Sequence, residues 1–402
     1  MPAAEPLASP PVVPGSARPL AADGRPSLIG LDVDALSDIV RPLDGGDAKR
    51  VRLRARQLFH WIHHRGAADF GSMSTLPEKL RRSLANGFSV ARPEIVAAQV
   101  SADGTRKWLL RFADGQQVES VFIPEEDRGA LCISTQVGCT LACTFCHTGT
   151  MPLVRNLGPA EILAQILVAR DALGEWPVPG EGGGAVRRLL TNIVVMGMGE
   201  PLFNYDNIAA ALRLAMDDAG LAFSRRRITL STSGVVPRIE QCGRELGVGL
   251  AISLHAVRDE LRDEIVPINR KWNIEALLDA CRRYPNRRPI TFEYVMLAGV
   301  NDSDDDARAL VRLLADVPAK VNLIPFNPWP GAPYACSSNN RIRAFAAIVE
   351  AGGHASPVRT PRGRDIDAAC GQLKTSSIRR RRTPGDAAAG PAGCAPMSVT
   401  AL

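Results

Sequence analysis

The stretch Leu131-Cys132-Ile133-Ser134-Thr135-Gln136-Val137-Gly138-Cys139-Thr140-Leu141-Ala142-Cys143-Thr144-Phe145-Cys146 decides how this chain is read. It opens like a strand and ends in a C-x-x-x-C-x-x-C run. Three thiolates on one short loop can hold three irons of a cubane cluster, whereas such clusters ordinarily take four cysteines. A loop with only three leaves one iron open to a substrate or cofactor. Zinc is a competing reading, but it favours a second Cys or His pair downstream. Cys143 and Cys146 form the one such pair, and His147 adjoins Cys146 too closely for both to face one metal. Inert thiols are a third reading. A structural disulfide suits neither an odd count of nine cysteines nor a chain without an export signal.

Outward from this loop, composition sets bounds. At 402 residues the chain can hold a large catalytic unit and a small accessory one. A hydrophobic content of 46% is that of a globular protein, and no apolar run approaches a membrane span. The Ala/Pro-rich start lacks the features of a signal peptide, so a cytoplasmic protein is expected. The net charge is +6, but between Lys49 and Arg82 nine bases face only Asp69 and Glu78. Phe59, Trp61 and Phe70 lie among them. Such a segment suits a polyanion, or equally a solvated helix face.

The expected organisation is a disordered tail over 1–26, a helical RNA-binding unit over 27–90, a β-hairpin extension over 91–128, a catalytic core over 129–372 and a disordered basic tail over 373–402. Leu76, Leu80 and Leu84 form one helical stripe, and Leu58, Trp61 and Ile62 another. Asp114-Gly115 joins two strands of a hairpin, 108–112 and 118–123. Strands are then expected at 131–134, 193–196, 228–231, 250–254, 291–296 and 321–324. Helices are expected at 162–167, 207–216, 274–281, 307–315 and 341–350. This α/β alternation predicts a parallel sheet curved into a partial (βα)6 barrel. Residues 176–186 read as a Pro/Gly-rich surface loop.

In such folds functional groups gather where strands end. The cysteine loop follows the first strand, and Gly197, Gly199 and Glu200 the second. Ser231 and Ser233 follow the third, Ser253 and His255 the fourth, and Asn327 the last. Each alone suits a turn, a helix cap or a structural hydrogen bond. Together they crowd one rim above an open cluster.

The three-cysteine run, with Phe145 before the last Cys, resembles the radical S-adenosylmethionine superfamily. Val118-Glu119-Ser120-Val121, Gly197-Met198-Gly199-Glu200-Pro201-Leu202, Leu230-Ser231-Thr232-Ser233-Gly234, Ser253-Leu254-His255-Ala256, Leu323-Ile324-Pro325-Phe326-Asn327-Pro328 and Asp365-Ile366-Asp367-Ala368-Ala369-Cys370-Gly371-Gln372-Leu373 are similar to the RlmN family within it. The resemblance covers about 27–373 and implies a radical-SAM barrel. It also implies an adenine-C2 methyltransferase acting on 23S ribosomal RNA and on the adenine 3′ of the anticodon in tRNA. It implies a [4Fe-4S] cluster on Cys139, Cys143 and Cys146. S-adenosylmethionine would be bound by Gly199, Glu200, Ser231, Ser253, Leu254, His255 and Asn327. Cys370 is the implied methyl carrier, Cys132 the resolving thiol and Glu119 the proton acceptor. The implied transfer runs through a protein–RNA crosslink and leaves a disulfide. A flavodoxin or ferredoxin as electron donor and a monomeric state complete the expectation. Cys242, Cys281, Cys336 and Cys394 carry no such context. The rivals are an adenine-C8 methyltransferase of the antibiotic-resistance type and a non-catalytic iron–sulfur RNA-binding protein.

Overall fold

The computed structural model describes residues 20–21, 23–126, 128–177, 188–285 and 288–375. Residues 178–186 of the expected 176–186 loop, 376–402 of the expected basic tail, and Cys394 with them, lie outside the described residues.

The chain begins with three helices, α1 (Val33–Asp44), α2 (Ala48–His63) and α3 (Glu78–Gly87). Asp32 and Asp47 cap the first two by accepting from Ala35 N and Arg50 N, each at 2.8 Å. Leu58 and Ile62 of α2 and Leu80 and Leu84 of α3 are buried, whereas Trp61 is only partly so. The unit starts earlier than expected. Leu20 pairs with Pro26 in an antiparallel bridge, so described structure begins before residue 27.

The basic character of this unit is weaker than the 49–82 window suggested. Over 27–82, ten bases and seven acids leave +3, because Asp32, Asp34, Asp38, Asp44 and Asp47 belong to the same unit. Arg52 pairs with Asp34 at 2.8 Å and Arg82 lies 3.8 Å from Glu78. Arg54 donates to Thr75 O at 3.3 Å and Arg81 to Gly71 O at 2.5 Å. Arg56 is exposed, with no ion pair among the described residues.

A meander follows: β1 (Glu94–Val100), β2 (Arg106–Arg111), β3 (Gln117–Pro124) and β4 (Gly129–Cys132), antiparallel throughout. The Asp114-Gly115 turn joins β2 to β3 as expected. Strand β1 was not foreseen. Its apolar residues do not alternate with polar ones, and it lies exposed along its whole length. A two-residue pair, β5 (Gln136–Val137) and β6 (Arg155–Asn156), braces the cysteine loop.

From β4 the sheet turns parallel. It continues through β7 (Asn192–Val195), β8 (Ile228–Thr232), β9 (Gly249–Ser253), β10 (Ile290–Met296) and β11 (Ala319–Pro325) in that spatial order. The connecting helices are α4 (Pro159–Leu173), α5 (Tyr205–Met216), α6 (Val236–Glu245), α7 (Asp259–Ile265), α8 (Ile274–Arg282) and α9 (Asp304–Leu313), with α10 (Asn339–Ala351) after the last strand. These six parallel strands form the expected open α/β barrel. Helices α6 and α7 were missed. Among the described residues, no helix is long and apolar enough to cross a membrane.

The barrel's open side is bridged by the segment after α10. Val358 pairs with Leu323 on the outer edge of β11. Further on, Ser101 donates to Asp365 at 2.5 Å and Gly363 N to Asp103 at 3.0 Å, both at the β1–β2 turn. The segment ends with Lys374 N donating to Glu119 on β3 at 2.8 Å. Residues 373–375 are therefore ordered and do not belong to a disordered tail. Cys370 rides in the middle of this bridge.

Candidate active site

The cysteine loop is held from both sides. Ala142 takes a left-handed turn at φ 52°, and Cys146 N donates to Cys143 O at 3.1 Å. Trp329 Nε1 donates to Phe145 O at 3.0 Å, and its indole stacks on His147 at 4.7 Å. His147 therefore stacks face to face on Trp329. A Cβ on Gly149 would stand 2.5 Å from Cys143 O, so the loop closes only around a glycine. Burial pushes the Cys139 thiol up to about 12 and raises those of Cys143 and Cys146. These sulfurs would surrender protons to iron far more readily than to water.

One cavity opens onto these three cysteines. Gly197, Gly199, Glu200, Ser231, Ser253, His255 and Asn327 line it, all from strand ends, as does Cys370. Gly199 sits at φ 96°, and a Cβ there would stand 2.4 Å from Gln136. Gln136 in turn accepts from Glu200 N at 2.9 Å. The buried Glu200 carboxylate accepts from Leu202 N at 3.0 Å and Ser233 N at 2.9 Å. Burial nevertheless lifts Glu200 to about 7. A cationic amino group would relieve that cost. Leu254 does not line the cavity. It is fully buried, and its backbone is engaged within the fold: its N–H donates to Glu293 O at 3.1 Å and its carbonyl accepts from Arg262 Nε at 3.0 Å.

His255 adopts φ 61°, and its Nδ1 accepts from Val295 N at 3.1 Å. Burial and then Arg262 pull it down to about 3, so the ring is neutral and carries its proton on Nε2. Asn327 Nδ2 donates to Cys370 O at 3.2 Å. Its Oδ1 is buried with no partner among the described residues. An unpaired buried acceptor costs free energy unless a ligand supplies a donor. Three converging thiols, a buried carboxylate and this orphaned oxygen fit an iron–sulfur cluster with an amino-acid-bearing cofactor.

A second chamber adjoins the first and shares Cys146, Met196, Gly197, Asn327, Arg359 and Cys370 with it. Cys132 lines only the second. The register sets Cys132 opposite Val121 on β3, and Glu119 lies two residues from Val121 on the same face. Glu119 lines neither chamber, and its Oε2 accepts from Lys374 N. Its Oε1 lies 3.1 Å from Lys107 Nζ. Burial pushes Glu119 above its ordinary value against the pull of Lys107.

Cys132 and Cys370 are both free thiols, as are all eight described cysteines. The expected disulfide is not formed. Nor is Cys132 an activated thiol here: burial, then the charge of Cys370, pushes it up to about 12. Arg359 opposes that rise. Its guanidinium is raised chiefly by the charge of Cys370, with Glu293 and Cys132 adding to it.

Sequence reasoning missed Arg359, Lys107 and Arg262. Arg262 is fully buried and donates to Leu254 O, Ser233 O and Ser253 O at 3.0, 2.7 and 3.0 Å. It thereby ties the loops after β8 and β9 together. A buried arginine on an otherwise charged helix gives no periodic signal. Only its position between two rim motifs could have marked it.

Comparison with known proteins agrees with this geometry. Residues 133–311 match the radical SAM superfamily, and residues 28–90 match the ribosomal RNA large subunit methyltransferase N-terminal domain. The dual-specificity RNA methyltransferase RlmN of Novosphingobium aromaticivorans is 61% identical over 383 residues, spanning 90% of this chain and 89% of that protein. This chain belongs to the RlmN family. The RlmN of Gluconobacter oxydans is 59% identical, spanning 90% of this chain and 88% of its own. A crystal structure of a radical SAM methyltransferase from Sphaerobacter thermophilus matches with a TM-score of 0.79 at 44% identity, covering 89% of this chain and 99% of that one. RlmN proteins are radical SAM enzymes that use a [4Fe-4S] cluster and S-adenosylmethionine. The cavity described above is the place that fits both.

Proposed function

We propose that this chain methylates C2 of an adenine in 23S ribosomal RNA and of the adenine 3′ of the anticodon in tRNAs, using a methyl group carried on Cys370. The observation that carries the reading is that Cys370 faces both chambers, one with the three-cysteine loop and one with Cys132.

C2 of adenine is electron-poor and offers no lone pair, so polar methyl transfer fails there. A bound, reduced cluster with S-adenosylmethionine supplies one-electron chemistry able to turn a methyl into a carbon radical. The protein's residues do the rest. Cys139, Cys143 and Cys146 hold the cluster. Glu200, at the Gly199 turn, takes the amino group, and Ser231, Ser253, His255 and Asn327 close the pocket around the remainder, while Leu254 anchors its loop to Arg262. Cys370, as its thiolate, takes the methyl of one S-adenosylmethionine by displacement, the methyl–sulfonium bond breaking and S-adenosylhomocysteine leaving, and presents it to the second chamber. The activated carbon adds to C2 and joins the RNA to Cys370.

Glu119 then takes the C2 proton, and the adduct's surplus electron would be accepted by a cluster held on Cys139, Cys143 and Cys146. Cys132 attacks the Cys370 sulfur. The carbon–sulfur bond breaks, its electron pair stays with carbon, and a proton completes the methyl group. The two sulfurs remain as a transient disulfide for an external thiol to reopen. Burial keeps Cys132 protonated and quiet until that point, and Arg359 favours the thiolate when it forms.

The helical unit carries RNA phosphates at its exposed bases. The enzyme works as a cytoplasmic monomer, reduced by a flavodoxin or ferredoxin. The test is mass spectrometry of RNA from a deletion strain and its complemented partner. Loss and restoration of 2-methyladenosine supports the reading. A methyl found on C8 makes this the C8-type enzyme. Failure of the reduced protein to form 5′-deoxyadenosine from S-adenosylmethionine makes it an iron–sulfur RNA-binding protein.

A further inference from the structure

Lys107 is a buried lysine on β2. Lysine is almost never buried without a charge partner. In the β2–β3 register it stands opposite Val121, so it reaches Glu119 diagonally along one face. Its Nζ is 3.1 Å from Glu119 Oε1 and donates to Asp367 O at 3.3 Å. Asp367 precedes Cys370 by three residues and holds φ 51°, the left-handed region. The other carboxylate oxygen, Oε2, accepts from Lys374 N at 2.8 Å, four residues past Cys370. One ammonium group thus grips the carboxylate and one flank of the Cys370 loop, while the carboxylate grips the other flank.

Resting on the reading of Glu119 as proton acceptor, we propose that Lys107 is a positioning residue for the methyl transfer: it keeps Glu119 an anion and holds it in line with the Cys370 loop until the C2 proton arrives. In that step the C2–H bond breaks, the proton passes to a Glu119 oxygen and the electron pair stays on the ring carbon. Lys107 keeps all its protons, and the ion pair becomes an ammonium beside a neutral acid. Two effects compete at Glu119. Burial favours the neutral carboxyl and the ammonium favours the anion. Without Lys107 the Lys374 N–H alone opposes burial and the Asp367 charge, and a protonated Glu119 accepts nothing. The charged groups that act on Glu119 are Lys107 from β2 and Asp367 from the Cys370 loop, and Lys374 meets it through its backbone N–H. Its backbone meets the Ser134 hydroxyl and the Met198 thioether, which do not titrate here.

The test follows resolution of the protein–RNA adduct against pH in the full-length, cluster-loaded enzyme, with Glu119→Gln, Lys107→Gln and Lys107→Arg. Glu119→Gln retains nucleotide on Cys370 at every pH. Lys107→Gln resolves it about tenfold or more slowly near neutrality and regains speed as pH rises, because its carboxyl ionises later. Lys107→Arg, which keeps a cation, stays close to the wild-type profile. If Lys107→Gln resolves adduct at the wild-type rate with the wild-type pH profile while Glu119→Gln stalls, the inference falls and Glu119 keeps its role. A Glu119→Gln protein that does not stall removes both. Should Lys107→Gln not fold, the infrared difference between wild type and Glu119→Gln decides. An ionised carboxylate at neutral pH agrees with the inference, and a protonated one overturns it.

Discussion

Asn327 Nδ2 donates to the carbonyl oxygen of Cys370 at 3.2 Å, so a residue at the end of β11 holds the backbone of the proposed methyl carrier while its Oδ1 stays unpartnered among the described residues. The cavity at the three cysteines and the Cys370 loop share that single side chain. His147 N donating to Gly371 O at 2.7 Å ties the same loop to the cysteine motif. Methyl pick-up and delivery therefore call for small movements of one short segment.

Each of Cys139→Ala, Cys143→Ala and Cys146→Ala should purify without its brown chromophore and with most of its iron lost. Three-point ligation has no spare member. Full iron content in any of the three would refute the ligand assignment.

Glu200 should make cofactor affinity pH-dependent. Its burial places its titration at about 7, and the cofactor's amino group needs the anion. Binding of S-adenosylmethionine, followed by calorimetry, should weaken as pH falls, by up to about tenfold per unit below that point. Glu200→Gln should bind weakly and without this dependence. A flat profile in the wild type would mean the carboxylate contacts something else.

Arg262→Leu should destabilise the core by about 3 kcal/mol or more, because it strands buried carbonyls on two rim loops. Thermal unfolding of the cluster-loaded protein measures this directly. An unchanged midpoint would show that those carbonyls find other donors.

On the helical unit, Arg56→Ala should reduce the slope of log affinity against log salt by about one or slightly less. Arg52→Ala should reduce it less, since Asp34 already engages that guanidinium. Equal slopes for wild type and Arg56→Ala in filter binding with a tRNA would take this face of α2 out of the interface.

Much of this was legible in the sequence. The C-x-x-x-C-x-x-C run and the polar groups at strand ends are local patterns, and the parallel strands are apolar runs that periodicity detects. What stayed hidden depends on long-range contact. Strand β1 forms because β2 offers it an edge, not because its own residues insist on it. The ordered state of Lys374 depends on Glu119, 255 residues earlier in the chain. The helical unit looked more basic than it is because its acids precede its bases in the chain and meet them only in the fold. Lys107, Arg262 and Arg359 match no motif, and their partners come from other elements.

The central claim is that Cys370 carries the methyl and Cys132 releases it, and the mass of the protein purified from cells tests it most directly. Methylation of Cys370 and addition to C2 do not use Cys132, whereas cleavage of the carbon–sulfur bond does. The Cys132→Ala protein should therefore retain nuclease-resistant nucleotide mass on Cys370, and Cys370→Ala should carry none. Nucleotide on Cys370→Ala, or none on Cys132→Ala, would contradict the pairing of these two cysteines.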